Sequence, residues 1–256
     1  MSHRTAAWIA WSMWTLALPF AAFGGGVLGF LSASARIFPN LGMIVLFTLL
    51  PLTFTTVGAV VGSHRPENPI GWIFCAGGPL LSVAVSAINY AEYALYAASS
   101  ALPGVQYAAW IGRWALVPTL LLVATMLFLL FPDGELSSRE WGFVAGTAVV
   151  SSVMVALGDA LGRENVGTDY GSIANPVAVG GAVGNIVDML GGFGLALLAL
   201  CFLASVAAPF VRLSHARGVE RQQIKWFAYA AAVMVGGLLV ILLISAQTSK
   251  PQILAA

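Results

Sequence analysis

Long apolar runs alternate with short polar connections along this chain. Seven of the runs can each cross a hydrocarbon core of about 30 Å, which takes about 20 helical residues. They cover approximately residues 6–31, 41–62, 71–98, 107–131, 141–161, 185–211 and 226–246. Unpaired backbone is costly in lipid and no barrel-like alternation of polar and apolar positions occurs, so every run is expected to be an α-helix. The pattern predicts an all-α, polytopic integral membrane helical bundle of about seven transmembrane helices, forming a single transmembrane domain. The first run begins almost at Met1, is longer than a signal-peptide core and lacks a small-x-small cleavage site ahead of a soluble region, so it reads as a retained helix.

The connections carry their own punctuation. In the loop Arg65-Pro66-Glu67-Asn68-Pro69, Asn68 is placed to cap the third helix and Pro69 suits its first turn, where a missing N–H costs nothing. Phe131-Pro132-Asp133-Gly134 is a turn that closes the fourth helix, and Ser137 with Glu140 has the spacing of a capping box opening the fifth. The longest loop, 162–184, is rich in glycine and small residues, is expected to be mobile, and contains a turn at Asn175-Pro176. Pro19, Pro51, Pro79 and Pro118 fall inside apolar runs and predict kinks. Gly25 with Gly29, and Gly58 with Gly62, have the small-xxx-small spacing of close helix contacts.

Composition sharpens the class. Hydrophobic residues make up 59% of the chain and charged residues 8%, with a mean hydropathy of +0.91, far outside the range of soluble domains. The bilayer is the expected environment and nucleic acid an unlikely partner. The two cysteines, Cys75 and Cys201, lie within apolar runs and read as small buried hydrophobes rather than a disulfide framework.

The net charge of +1 hides an asymmetry. Over seven spans, Arg4, Arg65, Arg139, Arg212, Arg217, Arg221 and Lys225 fall on one side, whereas Arg36, Arg163 and Lys250 fall on the other, with Arg113 just inside the fourth helix. The larger set belongs in the cytoplasm, which predicts a multi-pass protein of the cell membrane with a cytoplasmic amino terminus and residues 247–256 outside. Arg217, Arg221 and Lys225 recur every four residues, so a helical loop gathers them into a basic stripe, either for anionic lipid or for a docking partner.

Several chemistries find no residues. His3, His64 and His215 lie in the tail or the cytoplasmic loops, leaving no intramembrane pair for haem or zinc. Lys225 and Lys250 flank the last span, so a retinal Schiff base has no attachment point. No nucleotide-binding or kinase signature occurs. The expectation is a chain with no catalytic residues, no metal and no cofactor.

Glu92, Arg113, Asp159 and Asp188 fall inside spans, each within about two turns of the extracytoplasmic end of its helix. Asn89, Tyr90, Tyr93, Trp110, Trp114 and Asn185 share that depth. One reading is a polar pocket open to the outside, with Glu92, Arg113, Asp159, Asp188, Asn89 and Tyr93 as ligand-binding residues. The other is charges that snorkel to headgroups beside an ordinary aromatic belt.

RPENPIGW at 65–72, YALYA at 93–97, LFPDGELSSREW at 130–141 and RGVERQQIKWFAYAA at 217–231 occur in this order along the chain. As an ordered set they resemble the multi-helix membrane input region of a family of bacterial sensor histidine kinases. The resemblance implies a region that receives a stimulus and passes it to a cytoplasmic module that autophosphorylates on histidine and hands phosphate to a response regulator. This chain ends at Ala256, on the outside by the helix count, so the kinase residues of that family have no counterpart in it. The expected function is a non-enzymatic sensory membrane module, as a truncated kinase or a freestanding unit. Its expected partners are the lipid bilayer, a cytoplasmic kinase or response-regulator system, and a second copy of the chain. A small transporter or channel for a cation or proton is the alternative; a path would need ionisable groups in the cytoplasmic half of the spans, where they are scarce.

Overall fold

The computed structural model describes residues 2–28, 41–96, 98, 100–162 and 173–215, together with 218, 222, 225–227 and 229. The described residues form helices and turns. Helix α1 spans His3–Phe20 and continues as a π-helical turn, Ala21–Leu28. Then come α2 (Leu41–His64), α3 (Pro69–Tyr96), α4 (Val105–Leu130) and α5 (Arg139–Leu157), which also ends in a π-helical turn, Gly158–Gly162. Helix α6 spans Gly181–His215.

Among the described residues, five segments are long and apolar enough to cross a membrane: His3–Gly24, Pro69–Tyr96, Val105–Leu130, Arg139–Gly162 and Gly181–Leu213. The second expected span is present as the 24-residue α2. Most of the seventh, 226–246, lies outside the described residues, so an all-α multi-span bundle stands while the count of seven does not follow from them. Arg36, Arg163, Arg217, Arg221 and Lys250 also lie outside.

The chain divides into two compact units, Met1–Val206 and Ala207–Ala256. In the first, consecutive helices run antiparallel and pack side by side, with α3 in the middle against α1, α2 and α4. Arg4, Arg65 and Arg139 thus share one end of the bundle, here termed proximal; both π-helical turns lie at the other, distal end. In the second unit, Gly218, Gln222, Lys225, Trp226 and Tyr229 line one recess, and Trp226 and Tyr229 are exposed.

Close helix contact comes from small residues, as lipid offers no hydrophobic drive between apolar helices. Gly58 faces the α3 backbone, where a Cβ would stand 2.5 Å from the Cys75 nitrogen; Gly71 in turn faces Gly62. The Gly58/Gly62 stripe is therefore the seam between α2 and α3. Gly158 and Gly191 meet backbone to backbone where α5 crosses α6. Gly29 lies outside the described residues; on this part of α1 the close approach is made by Gly24 against Ser86. Between the seams, Ile70, Phe74, Val123, Met126, Val155 and Leu198 join four helices in one apolar cluster. Cys75 and Cys201 are free and buried.

The proximal turns follow the sequence reading closely. Asn68 Oδ1 accepts from the Ile70 N–H at 2.9 Å, Pro69 opens α3, and Trp72 Nε1 donates to the Pro66 carbonyl at 2.9 Å. Gly134, at φ 84°, closes α4 by donating to the Leu130 carbonyl at 2.7 Å. One detail differs. Helix α5 begins one residue later than a Ser137–Glu140 box requires: Ser138 is the N-cap and its side chain makes no capping bond. Glu140 then sits at the second helical position, where it meets the positive end of the helix but cannot close a reciprocal box. All four expected prolines lie inside helices, and Pro209 inside α6 is a fifth.

Candidate functional site

Each π-helical turn is held by donors from elsewhere in the chain. At the end of α1, Ser86 Oγ donates to the Phe20 carbonyl and Asn89 Nδ2 to the Gly24 carbonyl, the latter at 2.8 Å. At the end of α5, the Ala160 carbonyl accepts from both Trp110 Nε1 at 2.9 Å and Asn175 Nδ2 at 3.0 Å. The Val179 N–H donates to the Leu161 carbonyl at 2.8 Å. Such widened turns recur at functional positions in helices, and inside a membrane they persist only where other groups take up their carbonyls.

The α5 turn also carries an ion pair. Arg113 Nε lies 3.2 Å from Asp159 Oδ1, with the two side chains 23% and 20% exposed. Counting at about 1.5 Å per residue, Arg113 sits about 12 Å into α4 and Asp159 about 5 Å from the end of its helix. Both therefore lie below the distal surface. Asp188 on α6 is next to this turn: a Cβ on Gly162 would stand 2.8 Å from the Asp188 Cα. Two seams, Gly158 with Gly191 and Gly162 with Asp188, thus fix the end of α5 against α6.

The expected ligand-binding set is only partly convergent. Arg113 and Asp159 are paired, and Asp188 stands on the helix beside them. Asn89 is buried and committed to the α1 carbonyl. Glu92 and Tyr93, half-buried, occupy the last full turn of α3. Tyr90 donates to the Pro103 carbonyl at 2.6 Å, and Asn185 is exposed.

Two residues matter more than their sequence positions suggested. Trp110 reads as an interfacial aromatic but is a hydrogen-bond donor to the α5 turn. Asn175 reads as a turn residue, and it is one, since its Oδ1 accepts from the Val177 N–H at 3.1 Å; its amide also ties that turn to α5. Ile173, like Trp110, packs against the buried pair Ala91 and Ala109. The stretch 173–179 is consequently anchored to the bundle, contrary to the mobility expected for the whole loop. The signal available in the sequence was Gly158 and Gly162, four residues apart beside Asp159.

At the proximal end the two turns interlock. A Cβ on Gly134 would stand 2.5 Å from Asn68 Oδ1 and 2.8 Å from Pro69 Cδ, so the turn after α4 is seated on the cap of α3. Helix α4 therefore joins the Arg113 layer at one end to this interlock at the other. Among the described residues no three His, Cys, Asp or Glu side chains group to hold a metal ion. No family model, curated protein or solved structure matches the chain.

Proposed function

We propose that this polytopic membrane helical protein is a sensory module of a two-component-type system, without enzymatic activity of its own. Its distal layer faces outward and receives the stimulus, and its proximal turns face the cytoplasm and meet a kinase or response-regulator system. The observation that carries this reading is the linkage along α4, from the Arg113–Asp159 pair beside a π-helical turn to the Gly134–Asn68 interlock. A stimulus with different affinity for two arrangements of the Arg113 layer would shift their populations, and a tightly packed helix passes such a shift to its other end. The ordered motifs that resemble sensor-kinase input regions support the same reading. Arg4, Arg65 and Arg139, together at the proximal end, support this sidedness.

Two measurements test it. Alkaline phosphatase fused after Asp133 is expected to be inactive and after Leu102 active; the reverse pattern removes the outward-facing layer. In the native host, deletion of the gene is expected to change a defined set of transcripts. Restoration should occur with the wild-type chain but not with Arg113→Gln inserted at equal level. A transcript profile indifferent to deletion, together with proton or cation flux through the purified protein in liposomes, would replace the sensory reading with transport.

A further inference from the structure

The recess in the second unit measures about 650 Å³ and is lined by Gly218, Gln222, Lys225, Trp226 and Tyr229. These positions are helical, and steps of three or four residues set them on one helix face, with about 5–6 Å between neighbouring Cβ atoms. A primary amide, an ammonium, an indole and a phenol therefore stand together. Gly218 leaves one end open, since a Cβ there would meet nothing within 4 Å. Gln222, Lys225, Trp226 and Tyr229 are all exposed, and among the described residues no hydrogen bond or ion pair occupies their polar groups.

Position and charge say what fits. The apolar run at 226–246 starts at Trp226, so Lys225 stands at the edge of the hydrocarbon. The two rings then lie at the depth where lipid phosphate and glycerol meet the acyl chains. Within residues 212–225, Arg212, Arg217, Arg221 and Lys225 are offset by a single acid, Glu220, which favours a net-negative headgroup over a zwitterionic one. A soluble anion would use the ammonium and leave both rings idle. A soluble protein partner would likewise meet the cation but not rings set at the hydrocarbon edge. A phosphodiester held by acyl chains uses every group: its oxygens accept from Lys225 Nζ and Gln222 Nε2 while its glycerol and first methylenes lie on Trp226 and Tyr229.

We propose that this recess binds one anionic phospholipid, with the phosphodiester on Lys225 and Gln222 and the glycerol against Trp226 and Tyr229. Lys225 sets the selectivity, because a zwitterionic headgroup would bring its own cation beside the ammonium. Retention of the lipid in detergent requires neither a sidedness nor a signalling output, so this site and the sensory reading can fail separately.

The test gives the full chain, in a mild detergent, phosphatidylglycerol and phosphatidylcholine with identical acyl chains at equal concentration, and counts the bound lipids by native mass spectrometry. The wild type is expected to prefer phosphatidylglycerol about fivefold, the worth of one basic residue at an anionic headgroup. Lys225→Gln should bring the two lipids level, and Lys225→Arg should keep the preference. Arg212→Gln removes the same charge outside the recess and should leave the preference unchanged, whereas Trp226→Ala should lower retention of both lipids. Equal retention by the wild type, a preference that survives Lys225→Gln, or retention untouched by Trp226→Ala would overturn the proposal. So would an equal loss in Arg212→Gln and Lys225→Gln, which would make the attraction a dispersed one. Displacement of the lipid by millimolar glycerol 3-phosphate would instead assign the recess to a free phosphate, and a co-purifying protein that replaces the lipid and is lost from Lys225→Gln would assign it to a protein partner; either result overturns the lipid site.

Discussion

Replacing Gly134 with valine is expected to destabilise the protein by about 2–4 kcal/mol, combining the cost of a left-handed backbone for a β-branched residue with that of overpacking. Gly134 has a φ of 84°, and its missing side chain leaves the space that Asn68 Oδ1 and Pro69 Cδ fill. That Asn68 oxygen is the cap of α3. A valine there disturbs two helix ends at once, the close of α4 and the start of α3. Asn68→Ala alone should cost about 1 kcal/mol, the usual worth of a cap. Unfolding in mixed detergent micelles measures both, and a Gly134→Val protein within 0.5 kcal/mol of wild type, the scatter of ordinary surface substitutions, would show that the two turns are not interlocked.

Removing one partner of the Arg113–Asp159 pair should be worse than removing both. Arg113→Met or Asp159→Leu leaves a single charge below the membrane surface, at an expected cost of about 2–3 kcal/mol, somewhat less than for a fully buried pair because each side chain keeps about a fifth of its exposure. The double variant replaces two desolvated charges with apolar groups and should recover most of that loss. The same unfolding experiment, arranged as a double-mutant cycle, reads the difference. Losses that simply add would mean that the two charges are solvated independently.

The sequence reading succeeded where local chemistry decides the outcome. An Asn-Pro after a polar loop caps a helix whatever lies around it, and Pro-Asp-Gly turns the chain at Gly134 by its own conformational freedom. It was less informative about which side of a helix faces which neighbour. In a soluble helix a polar stripe marks the outward face, but α2 and α4 are apolar nearly all round, as lipid requires. Depth along the helix was therefore legible for Arg113, Asp159 and Asn89, while rotation was not: Arg113 turns to Asp159 and Asn89 turns to α1. The π-helical turns were also hidden, because the groups that take up their carbonyls come from distant positions. Trp110 and Ala160 are separated by 50 residues, and Asn89 and Gly24 by 65.

Helix α3 has a consequence for where such a protein can reside. With 28 residues it extends about 42 Å, while α5 with its terminal turn, 24 residues, extends about 36 Å. Glycines tie α3 to its neighbours on both flanks, Gly58 and Gly71 at α2 and Gly77 and Gly112 at α4, where added Cβ atoms would stand 2.6 Å from Val123 Cγ2 and 2.5 Å from Ile88 Cγ1, so it cannot adjust its tilt alone when the surrounding lipid changes. Hydrophobic mismatch must then be absorbed by the assembly or by the lipid at its rim, so the energy of holding this protein in a bilayer varies with the thickness of that bilayer.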